Sequence, residues 1–282
     1  LAAGDRMTEA AFADWIGRQT QWTDILSDRL LAHYRATLGP WLHDAEVPLG
    51  IHWCLSPDVL DADQLGPDGH LRLGIALPDL GLVRRMWAGG EIRWHGDFTP
   101  GADVTRTGTL TDITFKDGGS GRLGFVTLNN SYASAGSEII AERQDIVYRA
   151  PPAPGAMAPV LPPAPDRGAP IASFVLTPDP VLLFRFSALT FNGHRIHYDQ
   201  PYATGAEGYA GLVVHGPLQA ILMLNLAARV LGRTPARFRY RGQAPLIAGR
   251  SVIVEAFAGE GRAVDLRVRE DGGAVTMTGQ AD

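Results

Sequence analysis

The sequence predicts an α+β fold made of two similar halves, each an antiparallel sheet wrapped around a central helix. Three observations lead to this prediction. The second half has a long apolar segment followed by short strands, and the first half has helical periodicity followed by strands. Between them, eight of the 20 prolines fall within 151–170. Because proline cannot continue a helix or a central strand, this segment is predicted to be an extended surface linker.

In the first half, apolar residues spaced three or four apart run from Phe12 to Leu38 and predict helical structure. The Gly39-Pro40 pair then acts as a stop signal. From Glu91 onward the pattern becomes strand-like, with turns rich in Gly, Asp and Ser. The clearest strands are predicted over 104–110, 123–128 and 144–148.

The second half repeats this order. The segment 217–231 is apolar on all sides, which predicts a buried helix, and it is too short to span a bilayer. Strands are predicted over 238–241, 251–256, 263–268 and 274–277. A sheet wrapped around one helix is the hot-dog architecture, and two in tandem form a double hot-dog. We therefore predict a degenerate N-terminal hot-dog domain over 1–150, a linker over 151–170, and a catalytic C-terminal hot-dog domain over 171–282.

Composition excludes several classes of protein. The net charge of −5 and an isoelectric point near 5.9 argue against a nucleic-acid-binding surface. The lone Cys54 excludes an intrachain disulfide and a cysteine-rich metal site, and we expect it to be a small buried hydrophobe. Residues 1–9 lack the apolar core of a signal peptide, so a cytoplasmic location is the expectation.

Two segments concentrate the residues suited to chemistry: Asn192-Gly-His-Arg-Ile-His-Tyr-Asp199 and Gly211-Leu-Val-Val-His-Gly216. They resemble the hydratase motif of the MaoC-like, R-specific enoyl-CoA hydratase family, in which Ser-Gly-Asp-x-Asn-Pro-x-His-x-Asp precedes a His-Gly pair at the start of the hot-dog helix. The resemblance implies that His197 is the catalytic histidine, that Asp199 is the acidic residue two positions on, and that Gly216 supplies a backbone oxyanion donor.

The motif departs from the family pattern at three positions. Asn192 stands at the position of the family's catalytic aspartate, His194 at that of its asparagine, and Arg195 at that of its proline. This variant resembles the branch that hydrates branched, carboxylate-bearing substrates such as mesaconyl-, 3-methylfumaryl- and itaconyl-CoA. In the first half, residues 84–90 and 142–149 resemble the N-terminal dehydratase domain of the same branch. The resemblance implies a hydro-lyase.

Adding water to a 2-enoyl thioester needs a base, a proton donor for the α-carbon and a donor for the enolate oxygen. His197 suits the base because its ordinary pKa lies near working pH. Asn192 cannot exchange a proton, so we expect it to orient water or substrate. Gly216 presents a backbone N–H at a helix start. The second proton could come from His197 itself, from His194 or from Asp199, and we favour His197.

The predicted substrate-binding residues are Arg195, His194, Asp199, Arg185 and Arg241. Arg195 could hold a free carboxylate on the acyl group, because a guanidinium matches a carboxylate with two parallel hydrogen bonds. Arg185, Arg239 and Arg241 are further candidates for that carboxylate or for the CoA phosphates. The first half is expected to be non-catalytic and to shape the substrate tunnel. Its tryptophans are expected to pack in the core or to line the groove: Trp22, Trp41, Trp53, Trp87 and Trp94.

Other functions stay open at this point. A hot-dog acyl-CoA thioesterase or a non-catalytic acyl-CoA-binding protein would share the fold. Metal binding by His194, His197 and Asp199 lacks a closed ligand set, so no metal is expected. The run 119–124 matches G-x-G-x-x-G but leads into a strand, so we interpret it as a hairpin turn rather than a dinucleotide site. No cofactor beyond the CoA of the substrate is expected. The expected oligomeric state is a homodimer.

Overall fold

The computed structural model describes residues 8–118, 121–151 and 161–282. These residues form ten strands and four α-helices. The strands are β1 (Gln19–Ile25), β2 (Arg84–Trp94), β3 (Asp103–Gly118), β4 (Gly121–Ser134), β5 (Ser137–Arg149), β6 (Ala172–Leu176), β7 (Arg237–Gly242), β8 (Val252–Ala258), β9 (Val264–Glu270) and β10 (Val275–Ala281). The helices are α1 (Asp28–Leu38), α2 (Pro180–Leu189), α3 (Gln200–Gly205) and α4 (Gly216–Leu231).

The ten strands form one sheet in the order β1-β3-β4-β5-β2-β7-β10-β9-β8-β6. Every pairing between the described strands is antiparallel. First-half strands occupy one end of the sheet and second-half strands the other. The halves meet where β2 pairs with β7, from Gly89 opposite Arg241 to Arg93 opposite Arg237. Main-chain hydrogen bonds therefore hold the two halves in register.

Glycine permits the close approach at this junction. A Cβ atom on Gly90 would lie 2.2 Å from the carbonyl oxygen of Arg143 and 2.4 Å from the hydroxyl of Tyr240. The ladder between β2 and β5 also shifts register between Trp87 and Gly89. Such a bulge re-aims the neighbouring side chains, and here it lies beside Trp87, which faces the cavity described below.

The predicted buried helix is confirmed as α4, whose residues 218–228 are all buried. It packs against β8, β9 and β10. Its polar residues find partners. Asn225 accepts a hydrogen bond from the backbone N–H of His43 (2.9 Å) and donates to the carbonyl of Leu49 (3.3 Å). Gln219 accepts from the hydroxyl of Thr276 at 2.7 Å. Asn225 therefore ties α4 to the first half as well.

The helical prediction over 12–38 is partly wrong. Helix α1 is present and a short 3-10 helix spans Glu9–Trp15, but residues between them form strand β1. Strand β1 pairs with β3, from Gln19 opposite Thr109 to Ile25 opposite Asp103. Its side chains alternate between more and less exposed positions, and Thr, Trp and Ile favour strands. The pairing partner lies about 85 residues away in sequence, so local periodicity could not reveal it.

The remaining strand predictions are confirmed as β3, β4, β5 and β7 to β10. Strand β6 and the helices α2 and α3 had no prediction, and β2 was anticipated only from Glu91 onward. Asp179 caps α2 by accepting a hydrogen bond from the N–H of Leu182 at 2.7 Å, and Pro180 occupies the first turn. Helix α1 of the first half packs beside α2 of the second half.

Some predictions fall partly outside the described residues. Strands β3 and β4 pair up to Gly118 opposite Gly121, which confirms the hairpin, although residues 119–120 of its turn lie outside the description. Residues 152–160 of the predicted linker also lie outside it, and residues 161–170 form neither helix nor strand. Among the described helices, none has both the length and the apolar character needed to cross a bilayer.

Candidate active site

A cavity of about 1060 Å³ opens between the two halves. Ligand sites commonly occupy roughly 300–1,000 Å³, so this space suits a large ligand. Its wall is mainly apolar and includes Trp53 and Trp87 from the first half and His197 and Gly216 from the second. The expectation that first-half tryptophans line the groove is thus met by Trp53 and Trp87.

His197 lies in a short 3-10 turn, Arg195–His197, and is buried. Its Nδ1 atom lies 2.7 Å from the carbonyl oxygen of Val213. Because a carbonyl only accepts, Nδ1 carries the hydrogen and Nε2 keeps the lone pair. Burial lowers the pKa of His197 to about 4, partly offset by the bond to Val213, and nearby His70 lowers it further. His197 is therefore neutral at pH 7 and able to accept a proton.

His215 holds the ring of His197 in place. The two imidazoles stack with centroids 3.5 Å apart and planes 18° from parallel. The Nε2 atom of His215 forms a 2.8 Å hydrogen bond with the hydroxyl of Ser187. His215 is almost fully buried and lies behind the cavity wall rather than among its lining residues. Its position indicates a supporting role for His197.

Gly216 is the first residue of α4 and lines the cavity. Its N–H finds no backbone acceptor among the described residues, as expected at a helix start. A Cβ atom here would lie 2.7 Å from Cε3 of Trp87, so only glycine fits without movement. The arrangement presents a free N–H and the positive end of the helix dipole to the cavity, which suits stabilisation of an oxyanion.

Asn192 also lines the cavity, held by hydrogen bonds to its own loop. Its Oδ1 accepts from the backbone N–H of His194 at 2.9 Å, and its own N–H donates to the carbonyl of Ser187 at 2.9 Å. The preceding Phe191 has a positive φ of 51°, which sets the turn. Since Oδ1 is occupied, Asn192 has its amide N–H groups left to offer a ligand.

His194 meets a first-half histidine that the sequence reasoning missed. The rings of His194 and His70 lie 3.8 Å apart, and His194 lies 5.5 Å from the ring of His197. The Nδ1–H of His70 donates to Oδ2 of Asp68 at 3.1 Å. Burial, with smaller effects from His70 and His197, lowers the pKa of His194 to about 2. No local motif in the first half marks His70, because its partner lies 124 positions further on.

Arg195 and Asp199 pair with each other away from the cavity. Nε and Nη2 of Arg195 donate to Oδ2 of Asp199 at 3.0 and 2.7 Å. Asp199 also caps α3 by accepting from the N–H of Tyr202. Arg195 further donates to the carbonyl of Pro67 at 3.0 Å. Neither residue is among those lining the cavity, and their predicted substrate-binding roles stay predictions.

The other predicted arginines also lie outside the set of residues that line the cavity. Arg185, on α2, donates to the carbonyl of Ala36 at 3.4 Å and so links α2 to α1. Arg239 and Arg241 are exposed on β7, on the opposite face from Tyr240. Arg239 bonds to Gln280 there. The predicted substrate-binding roles of these arginines stay predictions.

The first half supplies a buried polar cluster that the sequence did not reveal. The carboxylate of Glu142 accepts hydrogen bonds from Nε1 of Trp53 (2.7 Å), Nδ2 of Asn130 (3.1 Å) and the hydroxyl of Tyr240 (3.3 Å). Burial raises the pKa of Glu142 despite these bonds. The cluster crosses from the first half to the second through Tyr240, whose ring stacks on Trp87 at 4.4 Å. It stiffens the wall that faces Gly216.

Among the residues that the structure describes, one group of side chains has the ligand types and spacing of a metal site. Ligand atoms of Asp68, His70 and His194 lie within 4.8 Å of one another. Arg85 lies 3.5 Å from the same Asp68 carboxylate, and its positive charge opposes a cation there. The set considered from sequence, His194 with His197 and Asp199, is not brought together, because the Asp199 carboxylate is taken by Arg195.

Cys54 is buried, as expected, and burial raises the pKa of its thiol. A thiolate nucleophile at this position is therefore disfavoured. Cys54 does not line the cavity.

Comparison with known proteins identifies the family. Residues 50–248 match the hydroxyacyl-thioester dehydratase type 2 family. The chain belongs to this family. Members of the hydroxyacyl-thioester dehydratase family are hydro-lyases, and the chain is accordingly an enzyme of that class. The predicted relationship to MaoC-like hydratases is thereby confirmed.

A curated relative supports the assignment. Over 246 residues this chain is 44% identical to mesaconyl-C(4)-CoA hydratase of Chloroflexus aurantiacus. The match covers 85% of this chain and 86% of the relative. Two solved structures share the fold. A MaoC-like dehydratase superposes with a TM-score of 0.70 at 14% identity, covering 96% of this chain and 98% of that one. A Mycobacterium tuberculosis protein with a double hotdog fold gives 0.55 at 17% identity, with coverages of 94% and 95%. The double hot-dog prediction is confirmed.

Proposed function

We propose that this hydro-lyase adds water reversibly to the double bond of a branched, short enoyl-CoA that carries a free carboxylate, as in mesaconyl-C(4)-CoA. One observation carries the proposal. The proton-accepting Nε2 of His197 and the free N–H of Gly216 belong to the wall of one cavity, in a chain 44% identical to mesaconyl-C(4)-CoA hydratase. The reaction needs a base beside C3, where water adds, and a hydrogen-bond donor at the thioester carbonyl oxygen.

In this mechanism Nε2 of His197 takes a proton from water as the water oxygen forms a bond to C3. The C2=C3 electron pair moves toward the thioester carbonyl, whose oxygen becomes an enolate oxygen. The N–H of Gly216, at the start of α4, donates a hydrogen bond to that oxygen. The enolate then collapses and C2 takes up a proton from the His197 imidazolium. One water is added and no net proton is released.

His197 is suited to both proton transfers because its neutral form prevails at pH 7 and its protonated form is a strong acid in a buried setting. Asn192 supports it by offering amide hydrogens to the water or substrate. His194 and Asp199, the other proton donors considered from sequence, are less suited. The pKa of His194 is strongly lowered by burial, and Asp199 is held by Arg195 and Tyr202.

We further propose that the enzyme needs no cofactor besides the CoA of its substrate, works in the cytoplasm and forms a homodimer. The chemistry requires only proton transfer and an oxyanion donor, which supports the first point. Strands β1 and β6 end the ten-stranded sheet, and free sheet edges offer pairing surfaces for a second copy. Sedimentation of the purified protein would measure the oligomeric state.

The function is tested by incubating the protein with mesaconyl-C4-, itaconyl- and crotonyl-CoA. Hydration gives a product heavier by one water and a loss of enoyl absorbance, with the thioester intact. His197→Gln should lower kcat about 10²- to 10⁴-fold, the usual contribution of a general acid–base, while binding of the CoA ester is retained. Release of free CoA thiol would instead indicate a thioesterase, and binding without turnover of any substrate would contradict the proposed hydratase.

A further inference from the structure

A buried arginine in the cavity wall has unmet hydrogen-bonding capacity. The side chain of Arg85, on β2, is 9% exposed and lines the cavity. Its Nη2 donates to the carbonyl of Leu71 at 2.9 Å and lies 3.5 Å from Oδ2 of Asp68. Its Nε–H is buried and has no acceptor among the described residues. A buried donor without an acceptor is costly, so this position favours an anionic ligand.

The second arginine in the cavity wall, Arg106, also has a buried Nε–H without an acceptor among the described residues. It differs from Arg85 in the negative charge around it. Arg106 contacts the carboxylate of Asp58 and also lies in the field of Glu142. Two carboxylates thus face one guanidinium, and the local balance of charge repels an anion. Within the described part of the chain Arg85 forms an ion pair only with Asp68, through a single contact at 3.5 Å. That is longer than a charge-assisted hydrogen bond of about 2.7–2.9 Å.

Arg195, the carboxylate-binding candidate from sequence, has a hydrogen bond from each of its three guanidinium nitrogens to a partner outside the cavity. It is paired with Asp199, bonded to the carbonyl of Pro67 and stacked 4.0 Å over the ring of Tyr202. It lies outside the cavity-lining set. The distribution of partners therefore separates the two arginines: Arg195 braces the loop, and Arg85 has donors left.

Arg85 lies on the same wall as the catalytic histidine. Asp68 links Arg85 to His70, because its Oδ2 atom lies 3.5 Å from Nη2 of Arg85 and 3.1 Å from Nδ1 of His70. His70 stacks on His194, and the ring of His194 lies 5.5 Å from that of His197. In mesaconyl-C4-CoA the free carboxylate is attached to C3, the carbon that receives water. A substrate with C3 beside His197 thus carries its carboxylate toward this wall.

We propose that Arg85 binds the free carboxylate of the acyl group and selects carboxylate-bearing over neutral enoyl-CoA substrates. This inference rests on the proposed hydratase function. The guanidinium would form a two-point contact that includes the buried Nε–H, and Asp68 would hold its other side. The side chain of His70 is 27% exposed beside it and completes the polar patch. The first half then shapes the tunnel and also recognises the substrate.

The test compares mesaconyl-C4-CoA with 3-methylcrotonyl-CoA, which has a methyl group in place of the free carboxylate. Three variants are measured: Arg85→Met, Arg85→Lys and the control Arg195→Met. For Arg85→Met we expect kcat/KM for mesaconyl-C4-CoA to fall about 10- to 100-fold, the effect of losing hydrogen bonds to a charged group. The value for 3-methylcrotonyl-CoA should change less than about threefold. Arg85→Lys should keep part of the preference because it keeps the charge.

The outcomes are separable. Equal losses on both substrates with Arg85→Met, while Arg85→Lys restores neither, would overturn the role of Arg85. So would a selective loss of mesaconyl-C4-CoA activity with Arg195→Met. If the unaltered enzyme hydrates neither compound, the proposed function fails. The binding preference for the two CoA esters, measured by calorimetry on the same proteins, then tests Arg85 directly, and a preference unchanged by Arg85→Met overturns it.

Discussion

The imidazole rings of His70 and His194 lie 3.8 Å apart although they come from different halves of the chain. Backbone contacts hold the two loops together. The N–H of Arg195 donates to the carbonyl of Asp68 at 2.8 Å, and Gly69 packs directly against Gly193. The loop that carries His194 and His197 is therefore positioned by a loop of the first half.

The pH dependence of the reaction should reflect the buried state of His197. Burial lowers its pKa to about 4, and only the neutral imidazole accepts a proton. We expect kcat/KM to stay level from about pH 8 down to about pH 5, one unit above this pKa, and to fall as the pH approaches 4, because kcat/KM reports the pKa values of the free enzyme. A stopped-flow pH profile checks this. An acidic limb centred near the ordinary histidine pKa of about 6.5 would contradict the assignment.

Gly216→Ala should damage catalysis because its Cβ would lie 2.7 Å from Cε3 of Trp87. Either Trp87 or the start of α4 must shift, which moves the oxyanion donor. Loss of such a donor costs about 10²- to 10³-fold in kcat. Steady-state kinetics with mesaconyl-C4-CoA measures the effect.

The matched control for that variant is Gly205→Ala, at the end of α3, where an added Cβ meets nothing within 4 Å. It should leave kcat unchanged. Adding Trp87→Leu to Gly216→Ala should recover part of the lost activity, since it removes the colliding ring. No recovery, together with an unshifted α4 in a crystal structure of the double variant, would show that the clash is not the cause.

Glu142→Gln should change how stability depends on pH. Burial raises the pKa of Glu142 in the folded protein, so the folded state holds this proton more tightly than the unfolded state does. The contribution of Glu142 to stability is then fully present below its unfolded pKa of about 4.3. It decreases as the pH rises toward the folded pKa.

The measurement is the free energy of unfolding by urea for both proteins between pH 4 and pH 8. As the pH is lowered, the free energy of unfolding of the unaltered protein should rise relative to that of the Glu142→Gln variant, because glutamine does not titrate. If the unaltered protein instead became more stable than the variant at high pH, the hydrogen bonds from Trp53, Asn130 and Tyr240 would have a larger effect on the pKa of Glu142 than burial has.

Gly69→Ala should separate the two loops that build the site. Its φ is +83°, and an added Cβ would lie 2.0 Å from the carbonyl oxygen of Gly193. Gly74→Ala is the control, since φ there is +86° and nothing lies within 4 Å. Both variants place a Cβ on a residue with positive φ and so share the backbone strain. The extra loss of unfolding free energy for Gly69→Ala therefore measures the clash with Gly193. We expect about 1–3 kcal/mol beyond the control, typical of overpacking.

Thermal and urea unfolding of both variants measure that difference, and kinetics should show a larger loss of kcat for Gly69→Ala as His194 and His197 move. Equal stability and equal activity of the two alanine variants would mean that the contact between the loops is not needed to position the catalytic histidine.

Much of the fold was predictable because its signals are local. Helix α4 is predicted by the mostly apolar segment 218–231, and the strands of both meanders are predicted by alternation between turn residues. Strand β1 was not predictable in this way, because its residues have helix-like spacing but pair with β3 in the sheet. In the site, His197 and Gly216 lie in two segments that resemble a known motif. Arg85 and Glu142 lie in first-half phrases that resemble the same branch, but nothing there marks their roles, and His70 lies in no such phrase.

By itself the sequence predicted the double hot-dog class and the buried helix, because both depend on periodicity along the chain. The resemblance of two segments to a known motif implied His197 and Gly216 as the groups suited to adding water. The tertiary structure alone decided which arginine faces the cavity and which side chains of the first half stand beside the catalytic loop. Those relationships join residues more than 100 positions apart, and the packing of two loops with no room for a Cβ between them sets their geometry.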